Sequence, residues 1–143
     1  MGARRSNTNT DLETWEITQL RQVVQLIEEK YGQNTVVLDM RAVSVPTRYF
    51  VITEAEGPKQ VKAIVDHLIE HYPKEHLLHR EGVKGRNWVV LDYNDFIVHV
   101  FQRETREFYD LEGLWGEWEL DVDHVSDKQR DPSRRKRGDK HDG

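Results

Sequence analysis

No cysteine occurs among the 143 residues, which excludes disulfides and thiolate metal sites. Long apolar runs are missing as well. None approaches the roughly 20 residues of a bilayer-spanning helix, so no membrane association is expected and the chain reads as cytoplasmic. Arg4 and Arg5 are not followed by an apolar stretch, so no signal peptide is expected. Ser6 and Ser44 stand in no nucleophile motif. Apolar content is only 36% against 33% charged, so the core is lean or part of the chain does not fold.

The C-terminus decides between these. From Ser126 onward, SDKQRDPSRRKRGDKHDG contains no aliphatic or aromatic side chain and has little to bury. It reads as part of a disordered, charged tail over 123–143, with residues 1–8 a flexible lead and 9–122 the single domain. Residues 126–143 hold seven Lys/Arg and four Asp, a net charge of +3, which leaves −8 on residues 1–125. An acidic globule is repelled by phosphates and suits a basic protein partner. The basic tail either makes an incidental RNA contact or keeps the chain in solution.

Thr10 and Glu13 have capping-box spacing, and Leu12, Trp15, Leu20, Val23, Val24, Ile27 and Tyr31 form a helical stripe. The pattern predicts a helix over about 11–31 that Gly32 stops. TVVLDMRAV and RYFVITEA read as strands joined by a turn at Pro46. Gly57–Pro58 opens a second helix carrying Val61, Ile64, Val65, Leu68 and Tyr72, and Pro73 ends it. EHLLHREG is a third strand. WVVLDY and FIVHVF around Asn94–Asp95 give the strongest hairpin signal in the chain, and TREFYDLEGLW reads as one short helix. Interspersed strands and helices imply an α/β domain with a mixed, mostly five-stranded sheet flanked by helices.

Catalytic readings fail on spacing. His67 and His71 are four apart on the second helix, with His76 and His79 beyond, but no H-E-x-x-H glutamate or third ligand accompanies them. They read as a solvated face. Asp39, Asp92 and Asp95 bring carboxylates to the strands, as in nucleotidyltransferases. Asp92 and Asp95 lie three apart across a turn, however, and not at alternate strand positions that share one face. His99 is a core or partner-facing histidine. Three of the four tryptophans, at 88, 115 and 118, fall in the segment from Trp88 to Trp118, among acids and without a phosphate loop or metal cage. Tryptophan tends to keep an edge exposed, and Trp, Tyr and Arg dominate binding hot spots. The candidate partner-binding residues are Trp88, Leu91, Asp92, Asp95, His99, Tyr109, Leu114 and Trp115, with no catalytic residue, metal or cofactor.

The same segment resembles the ribosomal silencing factor family, also called Iojap-related proteins. The resemblance is carried by Trp88-Val89-Val90-Leu91-Asp92, Asp95, Val98-His99-Val100-Phe101 and the R-x-F-Y-x-L-E-x-L-W-G run from Arg106 to Gly116. VVLDMR, YFVI and QVKAI match upstream blocks, so the likeness spans roughly residues 15–118. Asn94 replaces a usual glycine, and Arg48 stands where an aspartate is common. The resemblance implies a nucleotidyltransferase-like sheet without the catalytic acids, and a non-enzymatic translational repressor. That repressor binds the large ribosomal subunit through ribosomal protein L-fourteen and blocks joining of the small subunit. Alternatives are a large-subunit assembly factor and a nucleotide-binding enzyme; a homodimer of the free protein is a further option.

Overall fold

The computed structural model describes residues 14–121. The capping-box pair, Leu12, the N-terminal lead and the C-terminal tail lie outside them. Helix α1 (Thr14–Glu29) leads into β1 (Gln33–Asp39), a loop, and β2 (Tyr49–Ala55). Helix α2 (Pro58–His71) follows, then a 3-10 turn at Lys74–His76 and β3 (His79–Glu81). The hairpin β4 (Trp88–Asp92) and β5 (Phe96–Gln102) runs into α3 (Arg103–Tyr109) and α4 (Leu111–Trp115). A second 3-10 turn, Gly116–Trp118, ends in β6 (Glu119–Leu120).

These strands make one mixed sheet in the order β3-β4-β5-β2-β1-β6. Among the described residues only β2 and β5 pair in parallel; the other neighbours are antiparallel. The sheet thus has, among the described residues, six strands where five were expected. The extra one is the two-residue β6, whose Leu120 pairs with Val37. Two residues are too few to show alternation, so β6 exists through pairing alone.

Helices α1 and α2 cover one face. Leu20, Val23, Ile27, Val61, Ile64 and Leu68 pack there against Val37, Val51, Val89, Leu91, Val98 and Val100. The other face carries a smaller cluster of Leu38, Met40, Phe50, Ile52 and Phe101, covered in part by Val43 and Val45 of the β1–β2 loop and by Leu111 and Trp115. Central β2 is buried along its whole length because it is covered on both faces.

Three local expectations change. Trp15 was placed on the buried stripe but is 48% exposed, as Tyr31 is also exposed, while the neighbouring Glu16 is 2% exposed. Glu16 is buried because it accepts from Arg48 Nε at 2.7 Å and from the Tyr49 hydroxyl at 3.1 Å. A paired carboxylate can take a core position that an unpaired one cannot. Arg48 therefore has a defined charge role, pinning α1 to the start of β2. Secondly, the left-handed residue after α1 is Tyr31 (φ 66°), not Gly32. Gly32 is required for space instead: a Cβ there would strike Ile27 Cγ2 and lie 2.8 Å from Thr53 Oγ1. Thirdly, the single helix expected over TREFYDLEGLW is two helices, broken at Asp110 (φ 48°), whose carboxylate accepts from Gly113 N at 3.1 Å. Aspartate tolerates the left-handed region and caps a helix start, so one residue ends α3 and opens α4.

Candidate interface on the half-covered sheet face

Side-chain alternation along the hairpin sets the composition of the half-covered face. The register Trp88↔Phe101, Val90↔His99 and Asp92↔Ile97 brings these six side chains to one side. β2 extends the row, since Phe50 pairs with Ile97 and Ile52 with His99. Asn94 at the hairpin tip takes φ 79°, which asparagine tolerates in place of glycine.

The centre of this face is an aromatic array around His99. Phe50 meets the imidazole edge-on at 4.5 Å between centroids, and Trp115 meets Phe50 at 5.7 Å. Trp88 stacks on Phe101 at 4.8 Å and touches Tyr109 at the same separation. Its indole Nε1–H donates to His99 Nδ1 at 3.0 Å, which assigns the imidazole proton to Nε2. His99 is 6% exposed, and burial pushes its pKa down to about 4, so the ring is neutral near pH 7. Its Nε2 is buried without a hydrogen-bond partner.

An ion network places the C-terminal helices over this face. Arg106, buried on α3, donates to Glu54 of β2 at 3.1 Å and to Glu112 of α4 at 2.5 Å. Arg103 adds bonds to Glu54 at 2.9 Å and Glu56 at 2.8 Å. The first and seventh residues of the Arg106–Glu112 run are thus one ion pair, closed across the Asp110 break.

The predicted site residues separate. Trp88, His99 and Trp115 converge on the array, with Tyr109 at its edge, while Leu114 projects from α4 at 65% exposure. Asp92 and Asp95 are half-buried at the hairpin end, and Asp92 accepts from Asn94 N at 2.8 Å. Leu91 is a correction. It is fully buried on the opposite face under the helices, so it reaches no partner. Strict alternation from Trp88 carried that distinction: Val90 and Ile97, half-buried on the aromatic face, hold the places that Leu91 was given.

The other candidates are structural here. Asp39 is buried and accepts from Arg41 Nε at 3.0 Å and Nη2 at 2.9 Å. His67 contacts Glu29 at 2.8 Å, which draws the Glu29 pKa down. Among the described residues no group of three or more His, Asp or Glu side chains is arranged to hold a metal ion, and no helix is long and apolar enough to cross a membrane.

Comparison with known proteins decides the family. The sequence model of the family described as "ribosomal silencing factor during starvation" matches residues 13–142. The chain belongs to the ribosomal silencing factor family. It is 33% identical over 101 residues to ribosomal silencing factor RsfS of Halalkalibacterium halodurans, covering 68% of this chain and 86% of that one. The mouse protein named "mitochondrial assembly of ribosomal large subunit protein 1" is 29% identical over 100 residues, covering 65% of this chain and 43% of its own. A crystal structure from Chromobacterium violaceum superposes with a TM-score of 0.65 at 26% identity, covering 73% of this chain and 88% of that chain. One from Bacillus halodurans gives 0.63 at 29%, covering 73% and 97%. For this ribosomal silencing factor family member, the residues that carried the sequence resemblance have distinct physical roles. Arg106 and Glu112 clamp, Asp110 breaks the helix, and Trp115 covers Phe50.

Proposed function

We propose that this chain represses translation by binding the large ribosomal subunit on ribosomal protein L-fourteen, where its bulk keeps the small subunit from joining. The observation that carries this reading is the half-covered sheet face: Val90, Ile97 and Asp92 share it, Trp115 packs on Phe50 there, Leu114 next to Trp115 in α4 is exposed, and Asp95 lies at the hairpin end. Aromatic and aliphatic anchors supply burial at such a surface, and acids at its rim select a basic partner. A standard interface takes about 800 Å² from each partner, within reach of a domain this size. The net charge of −8 on residues 1–125 acts in the same direction. The activity needs no chemistry, cofactor or metal; occupancy of a shared surface is sufficient.

The name of the mouse relative favours a second reading, a part in assembly of the large subunit through the same surface. Sedimentation with purified subunits tests the first. The protein should travel with the large subunit and deplete joined ribosomes, and Leu114→Glu should lose both effects while melting like the wild type. If the wild type travels with the large subunit yet leaves joining intact, repression is refuted and assembly is favoured. A wild type that does not travel with the large subunit, or a Leu114→Glu protein that binds normally, refutes the docking face.

A further inference from the structure

A cleft of about 600 Å³ lies between the β3–β4 loop and α3. The loop wall contains Arg86, the helix wall Glu104, Phe108 and Tyr109, and Trp88 completes the lining. Hydrogen bonds shape the loop. Gly82 takes φ 79°, where a Cβ would strike the Trp88 carbonyl oxygen. Arg86 N donates to Gly82 O at 2.9 Å, and Gln102 Nε2 bonds Arg86 O at 3.0 Å and Asn87 Oδ1 at 3.1 Å. Arg86 itself sits at φ 58°, a conformation that costs free energy for any residue with a Cβ.

Two features of the lining bear on what it could hold. Arg86 Nε is buried without a hydrogen-bond partner, and Arg86 joins no ion pair among the described residues. Opposite it, Phe108 is 80% exposed and Tyr109 about half exposed, with ring centroids 5.0 Å apart and the two rings nearly perpendicular, and Tyr109 continues onto Trp88. The Trp88 indole is fixed by its bond to His99 and supports the Tyr109 side of this aromatic shelf. The charge is local: the loop, residues 82–87, carries Lys84 and Arg86 and no acid, within an otherwise acidic domain.

We propose that this cleft binds an unpaired nucleotide of single-stranded RNA, its base stacked on the exposed Phe108 ring with Tyr109 edge-on beside it, and its phosphate on the Arg86 guanidinium with Lys84 beside it. Every base offers a π-face to an exposed aromatic ring, and the two terminal Nη groups of the planar guanidinium match a phosphate with two parallel donors. Glu104 on the helix wall turns the phosphates toward the loop. The open cleft favours a strand over a free nucleotide, since small-molecule sites enclose most of their ligand. Duplex RNA keeps its bases stacked and cannot use the shelf. The proposal is independent of docking on L-fourteen, and its test contains no ribosomal component.

The test is fluorescence anisotropy of the full chain with labelled octauridine, followed by ultraviolet crosslinking and peptide mapping. Phe108→Ala and Arg86→Asn should each weaken binding about 10-fold, the scale of one lost base stack or phosphate contact. Asparagine keeps the left-handed backbone at 86, and both variants should melt like the wild type. The crosslinks should fall on Trp88, Phe108 or Tyr109. The proposal is overturned by wild type that does not bind, by variants that bind equally well, or by crosslinks confined to 126–143. Competition by uridine monophosphate as strong as by the octamer would make this a free-nucleotide site. Equal competition by an oligo-glutamate peptide would make it a protein-docking cleft. Either result removes the RNA assignment.

Discussion

Acidifying the protein from pH 7 to about pH 5 protonates His99 in the unfolded chain and leaves it neutral in the native one. His99 is buried, and burial holds its pKa at about 4 against an ordinary 6.5. The native hydrogen bond adds a second constraint. Nδ1 accepts from Trp88 Nε1 at 3.0 Å, and protonation would set a donor against a donor. Because the folded pKa lies below the unfolded one, the unfolded chain takes up the proton first. The His99 contribution to stability is therefore complete above pH 6.5, falls as the pH drops toward 4, and is flat below that. At 1.36 kcal/mol per pKa unit, the whole window is worth about 3 kcal/mol, and the part down to pH 5 about 2 kcal/mol. In a domain of this length that is a fall in Tm of about 8 °C. Urea unfolding at the two pH values measures it, with His99→Asn as the reference. The asparagine amide oxygen still accepts from Trp88 but does not titrate, so subtraction removes the carboxylates' contribution. The wild type should lose about 2 kcal/mol more than the variant. Equal losses would refute the assignment of a buried, neutral His99.

Arg106→Ala should destabilise by about 3 kcal/mol in denaturant unfolding, because it strips the buried Glu54 carboxylate of one partner and unclamps Glu112; a loss below about 1 kcal/mol counts against the clamp. Gly32→Ala should cost about 1–3 kcal/mol through the clash with Ile27 and Thr53, and an unchanged melt would mean that the two neighbours yield freely. Deleting residues 126–143 should leave Tm unchanged, since they bring no aliphatic or aromatic surface to bury, and a fall of several degrees would show that the tail docks on the domain. The on-rate for L-fourteen should fall with added salt, which screens charge over about 10 Å at 0.1 M, and should drop in Asp95→Asn with a smaller effect at high salt. An on-rate indifferent to both leaves docking to the apolar face alone.

Periodicity and turn chemistry determined most of the architecture without coordinates. Helix α2 starts at Pro58 and ends just before Pro73 because proline acts locally, and the β4–β5 hairpin closes at Asn94–Asp95 because few residues accept a positive φ. Ordered motif blocks were sufficient to identify the family. What only the tertiary structure decided lies where a residue's partner is distant in sequence. Glu16 is buried and Trp15 exposed because Arg48 and Tyr49, some thirty positions away, neutralise the carboxylate. The sixth strand needs β1 as its template, and the order β3-β4-β5-β2-β1-β6 follows from long-range pairing. The face of the sheet that a partner could reach was half legible: alternation separates Leu91 from Val90, but only the placement of α1 and α2 says which of the two is covered. Local rules fix the backbone of an element. Burial and charge pairing depend on what packs against it, and that information is distributed over the whole chain.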